Sequence, residues 1–103
     1  MKRYKRYLQE AITEIELKDG KKIKVSTLDD YGLDNWYLYK ISAIEFIVYD
    51  NNKDFKYYIE KYKSSYSRDK SITYNVNELY EPNTITKFPS LENALKAISK
   101  KEN

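Results

Sequence analysis

The side chains best suited to catalysis are the ones this sequence lacks. With no His and no Cys among its 103 residues, the chain has no imidazole for acid/base work near neutrality, no thiolate nucleophile, and neither of the usual ligands for zinc or iron. A Ser-His-Asp arrangement is excluded, and two isolated glycines, Gly20 and Gly32, cannot make a phosphate-cradling loop. Carboxylates, lysines and tyrosines remain. Asp29, Asp30 and Asp34 crowd one polar stretch, but they lack the alternating acids, central Gly and closing Glu of a calcium loop, so the stretch reads as a solvated loop. Glu45 lies inside the apolar run Ala43-Ile44-Glu45-Phe46-Ile47-Val48-Tyr49 and is the acid best placed for partial burial. Its position is equally that of the solvent-side member of a strand, which needs no chemistry to explain it. None of the many Tyr and Lys residues stands out as catalytic. The sequence implies a non-enzymatic protein with no cofactor and no metal.

Binding chemistry is better represented. Lys2, Arg3, Lys5 and Arg6 form a basic N-terminal cluster interleaved with Tyr4 and Tyr7. Lys56, Tyr57, Lys61, Tyr62, Lys63, Tyr66, Arg68 and Lys70 form a second one, diluted by Asp54, Glu60 and Asp69. Alternating cations and aromatic rings suit a single-stranded nucleic acid, whose bases stack on rings while its phosphates meet the cations. The net charge is only +3, and three of the nineteen basic residues are Arg, so a solvated basic face or a protein interface competes with that reading. Twelve Tyr are more than a core of this size can bury with every hydroxyl satisfied, and exposed Tyr is a common interface anchor.

These residues need elements to hold them. Ala11 to Leu28 alternates apolar and polar residues on both sides of Lys18-Asp19-Gly20-Lys21, which predicts a β-hairpin turning at Gly20. Leu28 to Asn35 reads as a loop. Trp36 to Ile41 and Ala43 to Tyr49 read either as two strands broken near Ser42 or as one long bent strand, ending at the turn cluster Asp50-Asn51-Asn52-Lys53-Asp54. Phe55 to Lys63 carries two signals. Phe55, Tyr58, Ile59 and Tyr62 fall at helical spacing, while the Tyr, Phe and Ile content after a tight turn favours a hairpin strand, and the strand is preferred. Ser71 to Asn77 alternates as a strand, Glu81-Pro82-Asn83 is expected to break it, and Thr84 to Phe88 makes a last short strand. Residues 90–100 read as a helix, with Ser90 as N-cap and Leu91, Ala94, Leu95 and Ile98 as one apolar stripe. Residues 1–10 read as a short helix or an extended lead-in to the first strand.

The sum is one α+β domain over 1–103: a mostly antiparallel, curved sheet of about five or six strands with a C-terminal helix packed on it. No apolar run approaches the roughly 20 residues of a membrane span, and the basic N-terminus lacks the apolar segment of a secretory signal, so a cytoplasmic protein is expected. Lys, Tyr, Ile and Asn, all with AT-rich codons, dominate the composition. This points to a low-GC bacterium, or to a phage or mobile element within one. The function expected on these grounds is that of a small binding protein that contacts a host protein or ribonucleoprotein complex and blocks it, as anti-CRISPR proteins do. Single-stranded nucleic-acid binding is the alternative, and an accessory module without inhibitory action is the third reading.

Overall fold

Two hairpins, built on the same turn, set the geometry of the sheet. In the computed structural model, which describes residues 12–63, 72–78 and 81–103, strand β1 (Ile12–Glu16) returns as β2 (Lys22–Thr27). The Gly20 N–H donates to Leu17 O at 2.8 Å, the Leu17 N–H donates to Lys21 O at 2.8 Å, and Gly20 sits at φ +90°. That is a four-residue turn closed by a left-handed residue, the position where the absence of Cβ removes a steric penalty. The Asp19 carboxylate accepts from the Lys21 N–H at 2.9 Å and pins the turn from inside.

The same pair of bonds recurs between β4 (Glu45–Tyr49) and β5 (Phe55–Lys63). Lys53 N–H donates to Asp50 O at 2.9 Å and Asp50 N–H to Asp54 O at 3.0 Å, with Lys53 at φ 65° in the place that Gly20 takes in the first turn. Asp50 supplies the compensation: its carboxylate accepts from the N–H groups of Asn52 and Asp54, both at 2.9 Å. The strand preference for Phe55–Lys63 is the observed one. Its register against β4 shifts between Val48 and Tyr49, so that Val48 faces Tyr57 while Tyr49 faces Phe55. Lys56 is therefore an extra residue in the strand, a β-bulge. The bulge sends Tyr57 and Ile59 to one side of the sheet and Phe55 to the other.

Strands β3 (Tyr37–Lys40), β6 (Ile72–Glu78) and β7 (Glu81–Phe88) complete a seven-stranded antiparallel sheet in the order β1-β2-β3-β4-β5-β6-β7. The count exceeds the five or six expected, and Trp36–Tyr49 resolves into two strands joined at Ile41–Ile44. The break expected at Glu81-Pro82-Asn83 falls earlier, between Glu78 and Glu81, and β7 begins at Glu81 and runs through Pro82. Among the described residues β7 pairs with β6 alone, and an edge strand tolerates a residue that cannot donate.

Helix α1 (Leu91–Glu102) starts where Ser90 Oγ accepts from the Asn93 N–H at 3.1 Å, and it buries Ala94, Leu95 and Ile98. Those three meet Leu38, Phe46, Val48, Tyr57, Ile59 and Val76 from the sheet, with Leu28 and Leu33 from the β2–β3 connection. That connection, read as a solvated loop, contains a 3-10 turn (Asp29–Tyr31) and turns Leu28 and Leu33 inward, while the Asp29 carboxylate accepts from the Asn35 N–H.

The other side of the sheet has a core of its own, formed by Ile15, Ile23, Val25 and Tyr49 with Leu17, Tyr37, Tyr39, Ile47 and Phe55 around them. The first hairpin covers it by folding over. Only Ser26 and Thr27 of β2 pair with β3, so the rest of that hairpin is free to leave the plane. In a flat meander the β1–β2 and β4–β5 turns would lie at opposite ends, about 14 Å apart across three strands and roughly 17 Å along them. Lys18 Nζ instead stands 2.6 Å from Asp54 Oδ1, which measures how strongly the sheet coils.

Candidate functional site

Strand direction decides which side chains meet at the end of the sheet formed by the β3–β4 turn, the last residues of β5 and the first of β6. Register couples Lys40 with Phe46, Phe46 with Ile59, Lys61 with Tyr74 and Lys63 with Ile72, all on the side that the helix packs against. The intervening residues Glu45, Tyr58, Glu60, Tyr62 and Thr73 point to the opposite side. The β4–β5 ladder continues into the turn through the Lys61 N–H, which donates to Ile44 O at 2.8 Å.

Four large apolar side chains are left open at this end: Ile41 at 45% exposure, Ile44 at 50%, Tyr62 at 50% and Ile72 at 40%. Lys40 and Lys63 are exposed and Lys61 half-buried beside them. Among the described residues, the aliphatic members of the two buried clusters are below a tenth exposure, so the exposed aliphatic side chains gather at this end, with Ile12 a separate case at the start of β1.

Of the residues singled out by the sequence, Lys2, Arg3, Lys5, Arg6, Tyr66, Arg68 and Lys70 lie outside the described residues. Lys61, Tyr62 and Lys63 are gathered at the open end. Lys56 is the half-buried bulge residue, toward the far end of β5. Tyr57 is a correction: it is 2% exposed, its ring is part of the helix-side core, and its hydroxyl donates to Glu102 Oε2. The cause is the bulge, which turns this ring into the helix-side core. The interleaving of Lys and Tyr in sequence is also undone in space, because Lys61 and Lys63 face the helix side and Tyr62 faces away from it. Ile41, Ile44 and Ile72 were missed by a reading that followed charge and rings. The available signal was two isoleucines flanking Ser42-Ala43, a break between strands where polar turn formers are the norm.

The side facing away from the helix carries the carboxylates. Glu45 and Glu60 are directly opposed across β4 and β5. Tyr58 Oη donates to Glu45 Oε2 at 2.7 Å, and Ser42 Oγ to Glu45 Oε1 at 3.4 Å. The hydrogen bond to Glu45 is the main reason that the Tyr58 phenol is pushed up to about 12, with burial and the charges of Glu45 and Glu60 adding to it. A phenol held protonated that far above neutrality donates a fixed hydrogen bond and is a poor proton-transfer group. Glu45 is thus a positioned, half-buried carboxylate on the side away from the helix. Burial, followed by the charges of Tyr39 and Asp19, likewise raises the Tyr49 phenol.

Concavities among the described residues lie elsewhere. One, about 430 Å³ and open, runs between the 3-10 turn and α1 and is lined by Asp30, Tyr31, Glu92, Lys96 and Ser99. Another, about 220 Å³, lies under the C-terminal half of α1 among Tyr57, Val76, Phe88 and Ile98, with the Glu78–Lys101 ion pair on its lining. Among the described residues no group of three or more acids forms a metal cluster and no helix is long and apolar enough to cross a membrane. Comparison with protein-family models, with curated proteins and with solved structures finds no match.

Proposed function

We propose that the chain is a non-enzymatic binding protein of a phage or mobile element in a low-GC bacterium, which inhibits a host nucleic-acid-handling or defence complex by protein-protein contact. The observation that carries this reading is that Ile41, Ile44, Tyr62 and Ile72, each 40% exposed or more, all fall at one end of the sheet. Exposed aliphatic and tyrosine side chains beside cations match a protein interface, where desolvated apolar groups supply affinity and charges at the rim supply orientation and rate. The AT-rich composition supports the origin. A net charge of +3 does not suit mimicry of DNA, so inhibition would proceed by covering a working surface of the target.

The single-strand alternative requires open rings and cations on one face; β5 turns Tyr62 away from Lys61 and Lys63, and Tyr74, opposite Lys61, packs against Phe46 and the helix-side core. Gel shifts on single- and double-stranded DNA and RNA test the choice. At micromolar protein and about 50 mM salt even non-specific basic binders retard nucleic acid. No shift is the expected result, and a salt-sensitive shift would overturn the protein-partner reading.

A further inference from the structure

The open end of the sheet has a polarity that suits one partner in particular. Its helix side presents Lys40, Lys61 and Lys63, with no carboxylate among the strand residues that share that side there. Its other side presents Glu45 and Glu60. Ile41 and Ile44 lie in the turn that joins the two sides, while Ile72, opposite Lys63, is on the lysine side and Tyr62 on the glutamate side. In the first hairpin, by contrast, the same sheet pairs Glu14 with Lys24 and Glu16 with Lys22 directly across strands, whereas here Glu45 meets Glu60. Like charges directly opposed work against pairing within the chain.

An end with cations on one side, carboxylates on the other and exposed apolar side chains on both is complementary to itself after a rotation of 180° that exchanges the two sides. That is the requirement for a two-fold symmetric contact, in which each patch meets its own copy. We infer that the free protein dimerises through this end, with Lys61 and Lys63 of one copy facing Glu45 and Glu60 of its partner, and with the turn residues Ile41 and Ile44 at the contact. The contact turns the opposed glutamates into acceptors for the other copy's lysines. This goes beyond the partner reading above, because it concerns the chain in the absence of any host protein. A dimer would cover the same surface, so binding to a host partner would require it to open.

Sedimentation or light scattering across a concentration series reads the outcome without a host partner, so its failure leaves the partner reading untouched. Wild-type protein is expected at twice its 12.4 kDa chain mass at high micromolar concentration and to dissociate on dilution. Lys63→Glu and Glu60→Lys, both at exposed positions, each place like charges across the symmetric contact twice and are expected to raise the dissociation constant at least tenfold. Mixed in equal amounts, the two variants restore the opposite-charge contacts and are expected to form a heterodimer as tight as the wild type. Circular dichroism of each variant alone establishes that it is folded. A wild-type protein that is monomeric throughout, a dimer indifferent to both substitutions, or folded variants that fail to recombine would each overturn the inference.

Discussion

Lys53 holds a left-handed backbone position in the β4–β5 turn, and exchanging it for glycine should make the protein more stable. The two hairpin turns share both of their closing hydrogen bonds, so Lys53 at φ 65° and Gly20 at φ +90° form a matched pair differing in the side chain. An L-residue in the left-handed region costs about 1 to 2 kcal/mol. Glycine removes that cost but loses about 0.4 to 1 kcal/mol through its freer unfolded chain. Lys53→Gly is therefore expected to stabilise by roughly 0.5 to 1 kcal/mol, which for a domain of this size raises Tm by about 2 to 8 °C. Gly20→Ala is the reciprocal experiment. A Cβ built on Gly20 meets nothing within 4 Å, so its loss, of about the same size and opposite sign, is conformational and owes nothing to a clash. Calorimetry on the two variants, with Lys53→Ala as a control that removes the ammonium but keeps Cβ, separates backbone from charge. If Lys53→Gly is neutral or destabilising while Lys53→Ala is neutral, the equivalence of the two turns is wrong.

Two more expectations follow from packing and from titration. Leu95 is 2% exposed between α1 and the sheet, so Leu95→Ala should cost about 2 to 5 kcal/mol in urea unfolding; a loss below about half a kilocalorie would mean that the helix contributes little to the core. The Tyr58 phenol, pushed up from 10 to about 12 by its bond to Glu45, is protonated in the folded state at pH values where the unfolded chain has begun to ionise. The folded state thus binds more protons in that window, and the stability from this group is complete below pH 10 and lost as pH rises through about 12. Ultraviolet titration should show a phenolate step near pH 12 in the folded protein that disappears in Tyr58→Phe, and an unchanged titration in the variant would contradict the assignment.

The sequence was most legible where one local rule governed. Gly20 after Asp19 between two alternating runs specified the first hairpin, and Ser90 before the Leu91, Ala94, Leu95, Ile98 stripe specified the helix and its cap. The strand identity of Phe55–Lys63 was legible only as a preference, because the Lys56 bulge breaks the alternation that would have settled it. Glu45 to Tyr49 reads as a nearly continuous apolar run for a reason that no local pattern contains: Phe46 and Val48 enter the core under the helix, while Ile47 and Tyr49 enter the one beneath the folded-over hairpin. Long-range coiling, measured by the Lys18–Asp54 contact, made both faces interior. The candidate site was half legible. Lys61, Tyr62 and Lys63 were chosen for chemistry, but the isoleucines that give the surface its apolar centre are ordinary core residues in type, and only their exposure distinguishes them. Tyr57 was misassigned for the converse reason, since a tyrosine between lysines looks like surface until the bulge turns it inward.

The protein-partner claim is tested most directly by affinity capture from a nuclease-treated low-GC bacterial lysate, comparing the wild type with Ile44→Asp. Ile44 is half exposed at the β3–β4 turn and belongs to neither core, so the substitution should leave the melting curve within about 0.5 kcal/mol of wild type. The account predicts that a defined host protein or complex is retained by the wild type after nuclease digestion, and that at least nine-tenths of it is lost with Ile44→Asp, as expected when a charge replaces an aliphatic anchor at the centre of an interface. Capture that vanishes with nuclease, or that is equally strong in a folded Ile44→Asp variant, would contradict it.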